Sequence, residues 1–223
     1  MTYIKELYRF LDELSANNNR RWFEANRERY QSLREQWLVD IDRMMRAMAM
    51  WEPSVEAFTA QQAAYRIYRD TRFSPDKTPY KTYFSAATGP YGRKSDRAGY
   101  YIEIGIARTY DQGIYGGVWA LDPATLRKVR HAIVDNIEEW ESIVNHPDML
   151  REFPQWCSSA LKTIPKGWDR NHPQAFYLRM TNYGKFQALG RDFFMSPDWP
   201  EEAAQKMRVL KPLVDFINYS IEE

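Results

Sequence analysis

The spacing of the apolar residues changes twice along this chain, and that limits the folds open to it. Ile4, Leu7, Leu11 and Leu14 recur every three or four residues, as does the stripe Phe23, Asn26, Tyr30, Leu33, Trp37, Ile41, Met44 and Met48. Such spacing gathers each set on one side of a helix. It predicts a helical hairpin over about residues 3–50, turned at S-A-N-N-N, because asparagine favours caps and turns. The period then shortens. Tyr100, Ile102, Ile104 and Ile106 alternate with Tyr101, Glu103 and Gly105, and Ile114, Gly116 and Val118 alternate with Tyr115, Gly117 and Trp119. A period of two reads as strand, with T-Y-D-Q-G as the turn between. Tyr65–Arg69 and Thr82–Thr88 are predicted as two more strands, giving a sheet-rich middle over about 65–120. Connections of hairpin length join only antiparallel strands. The pair Gly116-Gly117 inside a strand signals a bulge or a close approach of another backbone.

Helical spacing returns after D-P-A-T-L-R, where Asp122 can cap and Pro123 suits the first helical position. Leu126, Val129, Ile133, Ile137, Trp140 and Val144 form the stripe. A helix over Asp148–Leu161, strands at Gln174–Met180 and Phe186–Phe194, and a last helix through Met207, Leu210, Val214, Ile217 and Ile221 complete the part from about 122 to 221. Pro212 must kink that last helix or mark its start, since proline lacks a backbone donor. The expectation is one α+β domain over residues 1–223, an antiparallel sheet with helices packed mainly on one face.

A chain of 223 residues buries roughly 70% of its unfolded surface and needs no staple. Cys157 is the one cysteine, so no intramolecular disulfide forms, which suits a reducing compartment. The start is charged and helical, unlike a signal peptide, and no run approaches the roughly 20 apolar residues of a membrane span. A cytoplasmic protein without membrane contact is expected. The net charge of +1 argues against a general coat for nucleic acid, though not against a local basic groove.

That charge is unevenly spread. Residues 66–97 hold eight Lys/Arg against three Asp, an excess of +5 that leaves −4 for the rest of the chain. Within R-I-Y-R-D-T-R-F-S-P-D-K-T-P-Y-K, Ser74–Lys77 reads as a type I turn around Pro75, and Pro79 keeps Thr78 extended. Arginine offers a planar fork for phosphate or carboxylate and lysine a compact charge, and rigid placement lowers the ordering cost of binding. Arg66, Arg69, Arg72, Lys77 and Lys81 are the candidate anion contacts, Tyr80 a hydroxyl donor and Asp70 an orienting carboxylate. The alternative is an internal salt-bridge web in which Asp70 and Asp76 hold the arginines. Asn26 lies in an otherwise apolar stripe and needs a partner. Either N-N-N-R-R-W-F-E-A-N-R caps and packs, or Asn19, Trp22, Asn26 and Arg27 line the same pocket, with Asn26 reaching the basic segment.

N-N-N-R-R-W-F-E-A-N-R, I-Y-R-D-T-R-F-S-P-D-K-T-P-Y-K-T, G-Y-Y-I-E-I and L-K-T-I-P-K-G-W-D-R-N-H-P, in this order from about Tyr3 to Ile217, resemble the signatures of the uncharacterised family known as domain of unknown function 2461. The resemblance implies a single-domain cytoplasmic protein without an established activity, and brings no catalytic residues with it.

Other chemistries find less support. His131, His146 and His172 stand apart, with no metal-ligand spacing among them, so neither metal nor cofactor is expected. No G-x-x-x-x-G-K-[ST] or G-x-G-x-x-G phosphate loop is present. Three functions stay open. The first is binding, with or without catalysis, of a small phosphorylated or carboxylated molecule; as an enzyme it would stabilise an anionic transition state. The second, ranked lower, is nucleic-acid binding with Tyr80, Tyr83, Tyr91 and Tyr100 as stacking groups. The third is an interaction module. Oligomeric state is not legible.

Overall fold

A computed structural model describes residues 3–106 and 111–223. The turn expected at T-Y-D-Q-G falls partly on Thr109 and Tyr110, outside the described residues. In chain order the helices and strands are α1 (Tyr3–Ala16), α2 (Arg20–Ala25), α3 (Arg27–Ala49), α4 (Ala60–Ala63), β1 (Tyr83–Thr88), β2 (Gly99–Gly105), β3 (Gly113–Val118), α5 (Pro123–Asp135), α6 (Ile137–Val144), α7 (Pro147–Glu152), β4 (Gln155–Trp156), α8 (Ala175–Leu178), β5 (Tyr183–Ala188), α9 (Arg191–Met195), α10 (Trp199–Arg208) and α11 (Lys211–Glu222). The fold is α+β, with a five-stranded antiparallel sheet of order β1-β2-β3-β5-β4. The chain forms two compact units. One comprises residues 1–93, 101–114 and 188–205, the other 94–100, 115–187 and 206–223.

In the first unit the helical stripes are core. Ile4, Leu7, Leu11 and Leu14 of α1 and Leu33, Trp37, Ile41, Met44 and Met48 of α3 are buried. Trp37 stacks on Trp199 at 5.6 Å. The buried Asp40 accepts from Trp199 Nε1 at 3.1 Å and from Arg43 Nη1 at 3.1 Å, so it is not an orphaned charge. The expected second helix is two. α2 ends and α3 begins at Asn26, whose backbone leaves helical geometry (φ −113°, ψ 14°). Its Nδ2 donates to Trp22 O at 2.9 Å, the local bonding by which asparagine competes with helix. Alternation in β2 buries Tyr100, Ile102 and Ile104 and leaves Tyr101, Glu103 and Gly105 half exposed.

In the second unit Asp122 caps α5 by accepting from Ala124 N and Thr125 N at 2.8 and 3.2 Å, with Pro123 in the first turn. Asn136 divides the expected single helix into α5 and α6. Three expectations fail here. Helix does not run on to Leu161 but stops at Glu152, and β4 follows. In place of the strand expected at Gln174–Met180, Ala175–Leu178 form the short helix α8, four residues being too few to show a period. The late strand is Tyr183–Ala188, and Phe193 and Phe194 belong to α9. Pro212 lies in the first turn of α11, marking a start rather than a kink.

Candidate functional site

The basic segment folds back on itself. Arg69 N donates to Pro79 O at 2.9 Å, Lys81 N to Ile67 O at 2.8 Å, and Tyr68 bridges Tyr80 in antiparallel register. Two one-residue bridges replace the strand expected at Tyr65–Arg69. The hydrogen-bonded turn at the tip is Thr71–Ser74, through Ser74 N to Thr71 O at 3.4 Å, rather than Ser74–Lys77. The carboxylate of Asp76 instead accepts from Thr78 N at 2.9 Å, a side-chain turn of its own.

At this tip the cations are answered from within. Arg69 pairs with Asp76 at 3.1 Å and donates to Thr78 O at 2.9 Å and to Thr78 Oγ1. Arg72 forks onto Asp70 at 2.7 and 3.0 Å, and its hydrogen bonds hold that carboxyl down at about 2. Lys77 Nζ donates to Thr71 O at 2.9 Å. Of the residues expected to bind an anion, Arg69, Asp70 and Arg72 are therefore ion-paired within the hairpin, and Lys77 is held by a backbone carbonyl.

The N-N-N segment meets the hairpin, but through Asn18. Its Nδ2 donates to Tyr80 O at 2.9 Å and its Oδ1 accepts from Tyr80 N at 3.1 Å. Asn19 caps α2 by accepting from Trp22 N at 3.0 Å, Trp22 packs on Phe10, and Arg27 pairs with Glu24 at 2.8 Å. Asn26 bonds locally and does not reach the basic segment. Tyr80 is 2% exposed and stacks on Phe23 at 4.0 Å, so it is packing rather than a surface hydroxyl. Asn18→Ala is expected to cost about 1–3 kcal/mol, because both polar groups of Tyr80 lose their partner. Asn26→Ala should cost visibly less in the same thermal melts.

The other two cations of the segment lie elsewhere. Lys81 sits with its Nζ 4.8 Å from the ring centre of Tyr65 and 5.6 Å from that of Tyr83. The Arg93 guanidinium lies 4.6 Å from the Tyr65 ring, and its Nε donates to Gln62 O at 2.7 Å. Tyr101 lies edge-on to Tyr65 at 6.1 Å, and its hydroxyl donates to Glu103 Oε2. Burial pushes the Lys81 amine down against the attraction of Glu103, and repulsion from Arg93 and Arg66 pushes it further. Arg66 and Arg93 are thus both within electrostatic reach of Lys81. Among the described residues none of Arg66, Lys81 and Arg93 has a carboxylate at ion-pair distance. Burial raises the Glu103 carboxyl, opposed by Tyr101 and Lys81, and drives the Tyr101 hydroxyl well above the usual phenol range. Paired groups pushed apart in this way are common where ligands or protons are handled.

Two members of this cluster, Arg66 and Lys81, are legible in the basic segment. Tyr83, Tyr101 and Glu103 come in from half-exposed positions of β1 and β2, and Tyr65 and Arg93 from outside the strands. Glu103 carries a further consequence. Its folded carboxyl titrates above the ordinary 4.5, so the folded state suffers a penalty at neutral pH. The penalty is relieved as pH falls through the raised value towards 4.5. Glu103→Gln should accordingly melt higher than the parent at neutral pH and equal to it below about pH 4.

A cleft of about 810 Å³, lined among others by Tyr3, Tyr8, Leu33 and Met195, lies along α1, α3 and α9 and contains none of these residues. Its arginines have carboxylates: Arg29 with Glu6 and Glu13, Arg9 with Glu13, Arg191 with Asp12. Among the described residues no group of three or more His, Cys, Asp or Glu could hold a metal ion. No helix there is long and apolar enough to cross a membrane.

An α+β protein with cations and tyrosines gathered on the half-open side of two sheet strands is the class these features define. The chain belongs to the family described as conserved hypothetical protein (DUF2461), whose model matches residues 6–216. No curated protein and no solved structure gives a match.

Proposed function

We propose that this protein binds a small molecule bearing a phosphate or carboxylate, held by Arg66, Lys81 and Arg93 above Tyr65 and Tyr83. One contrast carries the proposal. Arg69 and Arg72 at the hairpin tip are paired with Asp76 and Asp70, whereas the half-buried Lys81 and Arg93 and the exposed Arg66 have no ion-paired carboxylate among the described residues. Neighbouring cations repel each other, the half-buried Lys81 also loses hydration, and an anion relieves both costs. The paired tip keeps the hairpin rigid, which lowers the ordering cost of binding. Glu103, raised and held by Tyr101, is the group in reach that can exchange a proton with such a ligand. The lone, buried Cys157 fits a cytoplasmic setting.

Calorimetric titration with inorganic phosphate tests this. Arg66→Ala and Arg93→Ala should each weaken binding by about 1.5–3 kcal/mol, roughly tenfold or more, as expected for lost charge-assisted hydrogen bonds. Arg72→Ala at the tip should leave the affinity unchanged. Binding of a single-stranded oligonucleotide with a steep salt slope, indifferent to Arg93, would favour nucleic acid instead. Of the four tyrosines suited to stacking, Tyr80 and Tyr100 are buried, at 2% and 1% exposure.

A further inference from the structure

The second unit holds a cation that its surroundings leave unanswered. Lys185 of β5 is 2% exposed. Its Nζ lies 4.3 Å from the ring centre of Trp156, its cross-strand partner in the register Trp156↔Lys185. Trp156 stacks on Trp140 at 6.0 Å and meets Tyr177 edge-on at 6.4 Å, so the amine stands against an aromatic wall. Among the described residues no carboxylate lies at ion-pair distance from it. Glu152, which Gln187 reaches, is taken by Lys206 at 2.8 Å and Arg151 at 3.0 Å. Gln187 shares the Lys185 face, because side chains two apart on a strand do. Its Nε2 donates to Glu152 at 3.2 Å, which fixes the amide's orientation, and its Oε1 is buried without a hydrogen-bond partner. One strand face thus holds a buried amine and a buried acceptor that lacks a hydrogen-bond partner among the described residues, one strand in from the sheet edge formed by the two-residue β4.

We propose that Lys185 is a carbonyl-capturing amine whose ligand is a small hydroxy-aldehyde or hydroxy-ketone, the ligand's hydroxyl donating to Gln187 Oε1. The neutral amine forms a bond from Nζ to the carbonyl carbon, and one of its protons passes to the carbonyl oxygen, giving a carbinolamine. The carbinolamine then loses water and leaves the C=N bond of an imine, so no oxidant or reductant is needed. Burial without a countercharge lowers the Lys185 amine, which enlarges its neutral, nucleophilic fraction. The aromatic wall excludes bulk water that would hydrolyse the imine. A buried ammonium without a partner is a cost to the fold, and the neutral, reactive amine avoids it.

The test is trapping with glycolaldehyde and cyanoborohydride on the folded full chain at neutral pH, followed by peptide mass spectrometry of every lysine. Lys185 should be alkylated several-fold faster than the exposed Lys5, Lys77 and Lys94. Acetaldehyde, which lacks the hydroxyl, should react more slowly at Lys185, and Gln187→Leu should abolish that difference. Protection of Lys185 in the folded chain, with modification only in urea, would overturn the proposal, as would a rate no greater than that of the surface lysines. Equal rates with both aldehydes in the parent would overturn the hydroxy-carbonyl assignment.

Discussion

Gly117→Ala is expected to be the most damaging single substitution in the chain. Gly117 lies in β3 with φ 133°, in the region that L side chains rarely enter. A Cβ there would fall 2.1 Å from Tyr183 O and 2.5 Å from Gly184 Cα. Both are backbone atoms of β5, the next strand of the sheet, so no rotamer change relieves the overlap. Backbone strain of about 1–3 kcal/mol adds to overpacking of similar size, about 1–3 kcal/mol. The total is a large share of the roughly 5–15 kcal/mol by which a folded protein is stable. At roughly 2–4 °C for each kcal/mol, a fall of about 10 °C in Tm is expected. A loss below about 1 kcal/mol in urea titration would mean that the two strands do not approach this closely.

Phe23→Ala should come next, and it should reach the candidate site as well. Phe23 is 0% exposed. Its ring stacks on Tyr80 at 4.0 Å with 13° between planes, and meets Tyr30 at 5.1 Å and Tyr68 at 5.8 Å. Tyr68 and Tyr80 are the bridged pair at the base of the basic hairpin. Removing the ring should cost about 3–5 kcal/mol, from lost burial and the cavity left behind. Because Lys81 follows Tyr80 directly, the variant should also bind phosphate more weakly even at temperatures where it stays folded. Phe23→Leu keeps much of the volume and should recover most of both losses in thermal melts and calorimetry. An unchanged phosphate affinity in a destabilised Phe23→Ala would uncouple the aromatic packing from the site.

What was legible in the residues follows from the range of the physical signal. The stripes of α1 and α3 and the alternation of β2 and β3 are local and periodic, and those elements stand where their periods place them. The pair Gly116-Gly117 pointed to a bulge or a close backbone approach, and the close approach is found at Gly117. The breaks at Asn26 and Asn136 were not legible, because the apolar stripe runs on through both and only the amide's competition for backbone bonds ends the helix. β4 has two residues and α8 four, too short for either period to register.

The site divides in the same way. Charge density marked the basic segment, but composition does not say which cation meets which acid. Asp70 meets Arg72 two residues along the chain, but Asp76 meets Arg69 only through the fold-back at Arg69–Pro79 and Lys81–Ile67. Glu103 and Tyr101 were visible as the polar side of a strand. Their meeting with Lys81 and Tyr65 depends on contacts between distant segments, which no local pattern encodes. Asn26 was the conspicuous polar residue in the stripe, yet Asn18, in the turn before it, makes the long-range bonds. A turn asparagine carries no periodic contrast that would single it out.

The central claim is that an anion is bound by Arg66, Lys81 and Arg93 rather than by the tip of the hairpin. A crystal structure of the protein soaked in tungstate, a heavy tetrahedral analogue of phosphate, addresses it most directly through the anomalous signal of the metal. The account predicts one dominant peak within hydrogen-bonding distance of the Arg66 and Arg93 guanidinium groups and Lys81 Nζ, with the Asp70–Arg72 and Asp76–Arg69 pairs intact. A dominant peak at the tip, with Arg69 or Arg72 released from its carboxylate, or no peak near Arg66, Lys81 and Arg93 at any tungstate concentration, would contradict it.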